Sequence, residues 1–152
     1  LQGSHQEATL FHNDSAKFEA RWVYLNVQGS KSVWTKGMNE PIYLPVAHGE
    51  GKFIPKDQSI LQTLKHNNQL IFKYTTADGQ APTYPANPNG STEDIAGICD
   101  PTGRVLGLMP HPERHFFFEH HPSWARLTRT KSKLGDGARI FENGITYAKE
   151  NL

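Results

Sequence analysis

The sequence predicts an α/β or α+β domain built around one core. Several runs are rich in β-branched and aromatic residues, and separate segments space their apolar residues for helices. A length of 152 residues suits a single domain. The strongest strand signals are residues 18–27 and 70–76. The apolar run at 105–109 is expected to be a buried core strand.

Asn13, Asp14 and Ser15 signal a loop ahead of the strand at 18–27, because short polar side chains compete for backbone hydrogen bonds. Gln28, Gly29 and Ser30 read as a turn, with Ser32, Val33 and Trp34 opening a return strand. In the run at 41–47, Pro41 and Pro45 remove ladder donors and favour an edge or a bulge. Ile60, Leu61 and Leu64 make a helical stripe, with Pro55 and Asp57 suited to its start and Asn67 and Asn68 to its end. Residues 77–92 form a Pro/Gly/Asn loop long enough to point to function or mobility. Strands at 95–99 and 104–109 flank Asp100-Pro-Thr-Gly103, a tight hairpin turn. Aromatics and histidines crowd 116–124, and 125–134 reads as a basic surface loop. A closing helix over 137–149 is expected to turn Ile140, Phe141, Ile145 and Ala148 to the core, with Asp136 as its N-cap. No repeat or linker divides the chain, so 1–152 reads as one domain.

Composition removes several function classes. A net charge of +1 offers no electrostatic footprint for nucleic acid or an anionic membrane. No stretch approaches the roughly 18 apolar residues of a membrane span. The start, Leu1-Gln-Gly-Ser-His5, lacks the basic and apolar regions of a secretory signal, and its abruptness suggests a cut polypeptide or a start carrying vector residues. A single cysteine argues against a disulfide framework and fits a reducing, cytoplasmic setting.

The richest stretch is Arg104-Val-Leu-Gly-Leu-Met-Pro-His-Pro-Glu-Arg-His115. Pro110 and Pro112 bracket His111 and stop the strand, so His111 and Glu113 sit on a stiff turn past a strand end. Ligands of open α/β sheets bind at that edge. A histidine there can act as general base, with a carboxylate to fix its tautomer; the pair can equally be solvated loop residues. His48-Gly49-Glu50-Gly51 also follows a strand, and its glycines would permit positive φ or close approach of backbone to ligand; a plain turn is the alternative. Cys99 superficially fits a nucleophile elbow, but another strand rather than a helix follows it, so it reads as a buried structural thiol. His111, His115, His120 and His121 cluster in sequence, yet their spacing fits known zinc patterns loosely and no metal site is expected.

Several blocks then carry a resemblance. Asn13-Asp-Ser-Ala-Lys-Phe-Glu-Ala-Arg-Trp-Val23, Pro45-Val-Ala-His-Gly-Glu-Gly-Lys-Phe53, Tyr84-Pro-Ala-Asn-Pro-Asn-Gly-Ser91, Ile95-Ala-Gly-Ile-Cys-Asp100 and the stretch ending at His115 lie in the same order as in a known family. Together they resemble the glutaminase portion of the phosphoribosylformylglycinamidine synthases, class I glutamine amidotransferases of purine biosynthesis. The H-G-E-G block alone is a weak signal and P-H-P-E a moderate one; the ordered set is specific.

The resemblance implies a three-layer α/β, flavodoxin-like amidotransferase fold, present as an incomplete C-terminal portion with a mixed sheet and hairpins. It implies a Cys/His/Glu triad in which His111 and Glu113 are the histidine and glutamate. The cysteine attacks the glutamine amide, water hydrolyses the resulting thioester, and the histidine moves protons. His48, Gly49 and Glu50 would help hold the glutamine. Ammonia would pass to a synthetase subunit using ATP and magnesium, and no cofactor is implied for this chain. The family's nucleophile elbow, oxyanion loop and first strands lie upstream of the equivalent of Leu1. The implied partners therefore include the missing N-terminal part of the same domain, without which this piece is expected to be inactive and to leave apolar faces bare. A non-catalytic interaction domain that binds a synthetase is the competing expectation, and a histidine-based metal hydrolase the third.

Overall fold

The computed structural model describes residues 6–29, 31–127 and 133–151. Ser30 of the expected turn and residues 128–132 of the expected basic loop lie outside them. In chain order the described elements are β1 (Ala8–His12), β2 (Glu19–Val27), β3 (Ile42–His48), β4 (Glu50–Pro55), α1 (Gln58–His66), β5 (Leu70–Thr75), β6 (Ile95–Cys99), β7 (Leu106–Leu108) and α2 (Ala138–Asn151). A two-stranded ribbon joins β1 to β4, and a five-stranded sheet runs β3-β2-β5-β6-β7. Every ladder among the described residues is antiparallel, so the parallel pairing of a mixed sheet is not seen there.

The core follows strand periodicity. Val23 and Leu25 of β2 and Leu44 and Val46 of β3 share one buried face, and central β5 adds Ile71, Phe72 and Tyr74. The opposite face of β2 and β3 is aromatic. Tyr24 and Tyr43 are ladder partners whose rings stack 4.3 Å apart, and Trp22 lies 5.2 Å from Tyr43. Helix α1 is capped as its sequence suggests, with the Asp57 carboxylate accepting from the Ile60 N–H at 3.0 Å. Its Leu61 packs with Phe53, Leu70 and Ile95 in a second cluster. Between the ribbon and the β6–β7 hairpin lies an apolar cavity of about 270 Å³, lined among others by Leu10, Phe53, Ile98 and Leu108.

The outer edge of β3 decides where the His111 turn sits. The Tyr43 N–H donates to Asp136 Oδ2 at 2.8 Å, and its C=O accepts from His115 Nδ1 at 2.7 Å. The Pro45 C=O accepts from the His111 N–H at 2.8 Å. These outward groups belong to alternate residues, so Pro45 stands where the β2 ladder does not need its missing N–H. Two residues before His111, the Met109 N–H donates to the Ala96 C=O of β6. In a flat sheet β6 and β3 would stand about 14 Å apart, from three spacings of roughly 4.8 Å. Two residues of chain span at most about 7 Å. The sheet must therefore curl, and the segment from Met109 to His111 bridges its two flanks.

Several sequence expectations need correction. The run at 105–109 is not a buried core strand: β7 is an edge strand, and Val105 is 64% exposed. Apolar composition alone cannot register that no strand among the described residues covers its outer side. Ser32, Val33 and Trp34 form no return strand, because Ser32 Oγ accepts from the Trp34 N–H and starts a single 3₁₀ turn, Val33–Thr35. The Asp136 carboxylate goes to Tyr43 instead of capping α2. Ile145 is 55% exposed, whereas Ile140 is buried as expected. Strands β1 and β4 are absent from the sequence reading, since the ribbon leaves much of its surface to solvent and shows weak alternation.

Helix α2 approaches the His111 turn through glycine. A Cβ at Gly137 would lie 2.0 Å from the Pro112 carbonyl oxygen, while the Gly137 N–H donates to the His115 C=O at 3.0 Å. Gly137→Ala is expected to destabilise the fold by about 1–3 kcal/mol through overpacking against backbone. Gly29→Ala, with nothing within 4 Å of the added carbon, is the control expected to stay near native. Denaturant midpoints of both variants check this.

Candidate active site

The turn that carries His111 is built by proline and pinned by β3. His111 precedes the 3₁₀ turn Pro112–His115, with Pro112 at the first helical position where no N–H is required. His111 Nδ1 lies 2.7 Å from Glu113 Oε1, and both side chains keep substantial solvent exposure. The carboxylate accepts from Nδ1–H and thereby leaves Nε2 with its lone pair outward, the form of a general base. At the far end of the turn, buried His115 donates to the Tyr43 C=O and packs edge-on to Trp22 at 5.1 Å. The catalytic-type pair is therefore exposed on a turn whose two ends are fixed to one strand.

His48 ends β3 and is 8% exposed as a residue, with its ring in a hydrogen-bonded polar cluster. Asn13 Nδ2 donates to the Lys17 and His48 carbonyls, each at 2.8 Å, so Asn13 Oδ1 is the acceptor side of that amide. Oδ1 faces the Gly51 N–H at 3.1 Å and His48 Nδ1 at 3.0 Å, which places the imidazole proton on Nδ1. His48 Nε2 then accepts from Asn89 Nδ2 at 3.4 Å, and the same nitrogen of Asn89 reaches Tyr74 Oη at 3.1 Å. Burial lowers the His48 pKa, with the facing His111 adding to the fall and Glu19 opposing it. His48 and His111 are both placed by β3, the one at its end and the other through the hydrogen bond of its N–H to the Pro45 carbonyl.

Glu19 lies opposite His48 in the β2–β3 ladder and is fully buried. Burial alone would raise its pKa, but hydrogen bonds from Ser15 (2.5 Å) and Arg21 outweigh it and keep Glu19 ionised below the usual range. Arg21 is in turn held by Tyr84 of the long loop, whose hydroxyl it meets at 3.0 Å and whose ring it covers at 5.0 Å.

The remaining candidates separate clearly. Neither Gly49 nor Gly51 adopts positive φ. Gly51 is required because a Cβ there would meet the His48 ring at 2.4 Å, whereas Gly49 has open space beside its backbone. The Glu50 side chain points away, 3.4 Å from His12 on the exposed ribbon. Cys99 is 3% exposed at the end of β6, and burial and Asp100 raise its pKa, which suppresses the thiolate. His115 and His121 pack against each other at 5.6 Å in the aromatic cluster with Trp22 and Tyr43. No group of His, Cys, Asp or Glu among the described residues is disposed to hold a metal ion. Sequence reasoning misses Asn13, Glu19 and Asn89 as site builders; their one signal is membership of the resembling blocks at 13–23 and 84–91.

Comparison with known proteins gives this fold its class, the glutamine amidotransferase domains. The chain belongs to that family: residues 1–148 match the CobB/CobQ-like glutamine amidotransferase domain. The phosphoribosylformylglycinamidine synthase subunit PurQ of Dehalococcoides mccartyi is 43% identical over 147 residues, covering 95% of this chain and 54% of that relative. The subunit of the same name from Methanococcus maripaludis is 39% identical over 150 residues, covering 92% and 54%. Among solved structures, PurLQS from Thermotoga maritima superposes with a TM-score of 0.66 at 27% identity, covering 94% of this chain and 54% of that one. The class I amidotransferase fold expected from the sequence is borne out, and the chain spans about half the length of the relatives it matches.

The buried, neutral His48 has a consequence for pH. Its folded pKa lies below the ordinary value of about 6.5, so on acidification the unfolded chain takes up that proton first. The associated stability is complete above about pH 6.5 and is lost as pH falls toward the folded value. His121, lowered by burial and by His115, acts in the same direction. Chemical denaturation from about pH 8 to about pH 5 should therefore show stability falling. His48→Gln is expected to make that fall shallower; an unchanged slope would mean that His48 ionises freely in the folded chain.

Proposed function

We propose that this chain supplies the histidine and glutamate of a glutaminase in a phosphoribosylformylglycinamidine synthase. The observation that carries this reading is the 2.7 Å His111–Glu113 pair on a turn fixed to β3, in a chain of the amidotransferase family. His111 Nε2 takes the proton of an attacking thiol and returns it to the departing ammonia, and Glu113 steadies the imidazolium. The thiolate lies outside these residues, because Cys99 is buried at the end of another strand with its ionisation suppressed. The backbone of Gly49, beside open space, and the adjoining His48 and Glu50 form the segment that receives glutamine. His48 contributes through its main chain, since its ring nitrogens are engaged by Asn13 and Asn89.

Glutamine is hydrolysed to glutamate and ammonia, and the ammonia passes to a synthetase subunit that uses ATP and magnesium. This chain needs no cofactor of its own for that step. The synthetase partnership rests on the likeness to phosphoribosylformylglycinamidine synthase subunits PurQ and to the PurLQS structure. A cytoplasmic setting agrees with the single buried thiol and with the lack, among the described residues, of a helix long and apolar enough to cross a membrane.

Ammonia release from glutamine tests the reading directly. The chain alone is expected to be silent, and activity is expected when the segment that carries the thiol is supplied. In the active assembly, His111→Ala should lower kcat by about 10²–10⁴-fold. Glu113→Gln, which keeps shape but loses charge, should lower kcat as well. Activity from these 152 residues alone would overturn the assignment of the thiolate to another segment.

A further inference from the structure

The turn assigned to glutamine is held by a residue far from it in sequence. Asn13, on the loop between β1 and β2, is 3% exposed. Its carboxamide donates to the carbonyls of His48 and Lys17 and accepts from the Gly51 N–H and His48 Nδ1, all between 2.8 and 3.1 Å. Its own N–H donates to the Gly49 carbonyl at 3.0 Å. A carboxamide has two N–H groups and two lone pairs, and here each is committed within the protein. Asn13 therefore has no polar valence left for a ligand and acts through what it holds.

What it holds is the backbone of the His48–Gly51 turn, approached from both sides. Gly51 cannot relax toward the turn, because the His48 ring occupies the space of its absent side chain. Gly49, between these braced residues, has nothing within 4 Å of where a Cβ would stand. The result is a rigid stretch of main chain with one open face. Loss of the brace would let that face drift, and displacements near 1 Å are enough to impair binding or reaction.

We propose that Asn13 is a positioning residue for glutamine, presetting the backbone at Gly49 that the substrate approaches. This rests on the glutaminase reading of the same site. The test is steady-state ammonia release from glutamine by the complete glutaminase that contains this chain, in its unmodified form and as Asn13→Ala and Asn13→Asp. Asn13→Ala removes every carboxamide contact. Asn13→Asp keeps an acceptor for Gly51 and His48 but loses the donors to Lys17 and His48.

The KM for glutamine should rise about tenfold or more in Asn13→Ala with kcat within about twofold, the signature of lost ground-state binding. Asn13→Asp should fall between that variant and the unmodified protein. Amide exchange at Gly51 should accelerate in step with KM. A native KM in either folded variant overturns the proposal, and so does a fall in kcat at constant KM. Should Asn13→Ala fail to fold, Asn13→Asp decides by the same criterion. If neither folds, Asn13 is a folding residue and the proposal is overturned. An unmodified protein that releases no ammonia defeats the glutaminase reading itself, whereas native kinetics in the variants defeats the Asn13 assignment alone.

Discussion

The hydrogen bond from the His111 N–H to the Pro45 carbonyl is the constraint on which the architecture turns. It joins a strand at one end of the sheet order to the segment leaving the strand at the other end, and the sheet curls to allow it. The same edge carries His115 and Asp136, so the 3₁₀ turn and the start of α2 are located by the two neighbouring polar groups of Tyr43. Proline at position 45 serves this edge in two ways. It offers an acceptor outward, and it removes a donor that would invite a foreign strand. The placement of a histidine in space thus follows from the hydrogen-bonding arithmetic of one edge strand.

Beneath that edge lies a buried polar network of an opposite character. His111 and Glu113 are half-exposed and meet solvent, whereas His48, Asn13 and Asn89 satisfy one another away from water and Glu19 is met by Ser15 and Arg21. Such a network is stable only when it is complete, because each orphaned group would carry its full desolvation cost. Completeness makes the backbone around it rigid. The contrast is physical: the pair on the turn meets solvent, and the buried set fixes backbone geometry.

Sequence reasoning reaches the parts of this design that local chemistry determines. Pro41 and Pro45 announce an edge strand, Asp57 announces a helix cap, and Asp100 to Gly103 announce a hairpin, and the structure agrees at each. The pairing of His111 with Glu113 is legible because proline stiffens the short span between them. Other features depend on partners distant in sequence. The run at 105–109 is apolar enough for a core, yet its burial depends on which strand lies beside it. Asn13 and Asn89 carry the same side chain as any turn residue, and only folding brings them 35 and 41 positions along the chain to His48. Asp136 looks like a helix cap until Tyr43 competes for its carboxylate and wins.

The burial of Cys99 reaches beyond stability. Alkylating reagents and oxidants react with exposed thiolates, and this chain presents none to them in its folded form. Any thiol chemistry observed on an assembly that contains this folded chain would therefore originate outside these 152 residues. The folded chain is a silent background against which a single reactive sulfur could be labelled, counted and followed.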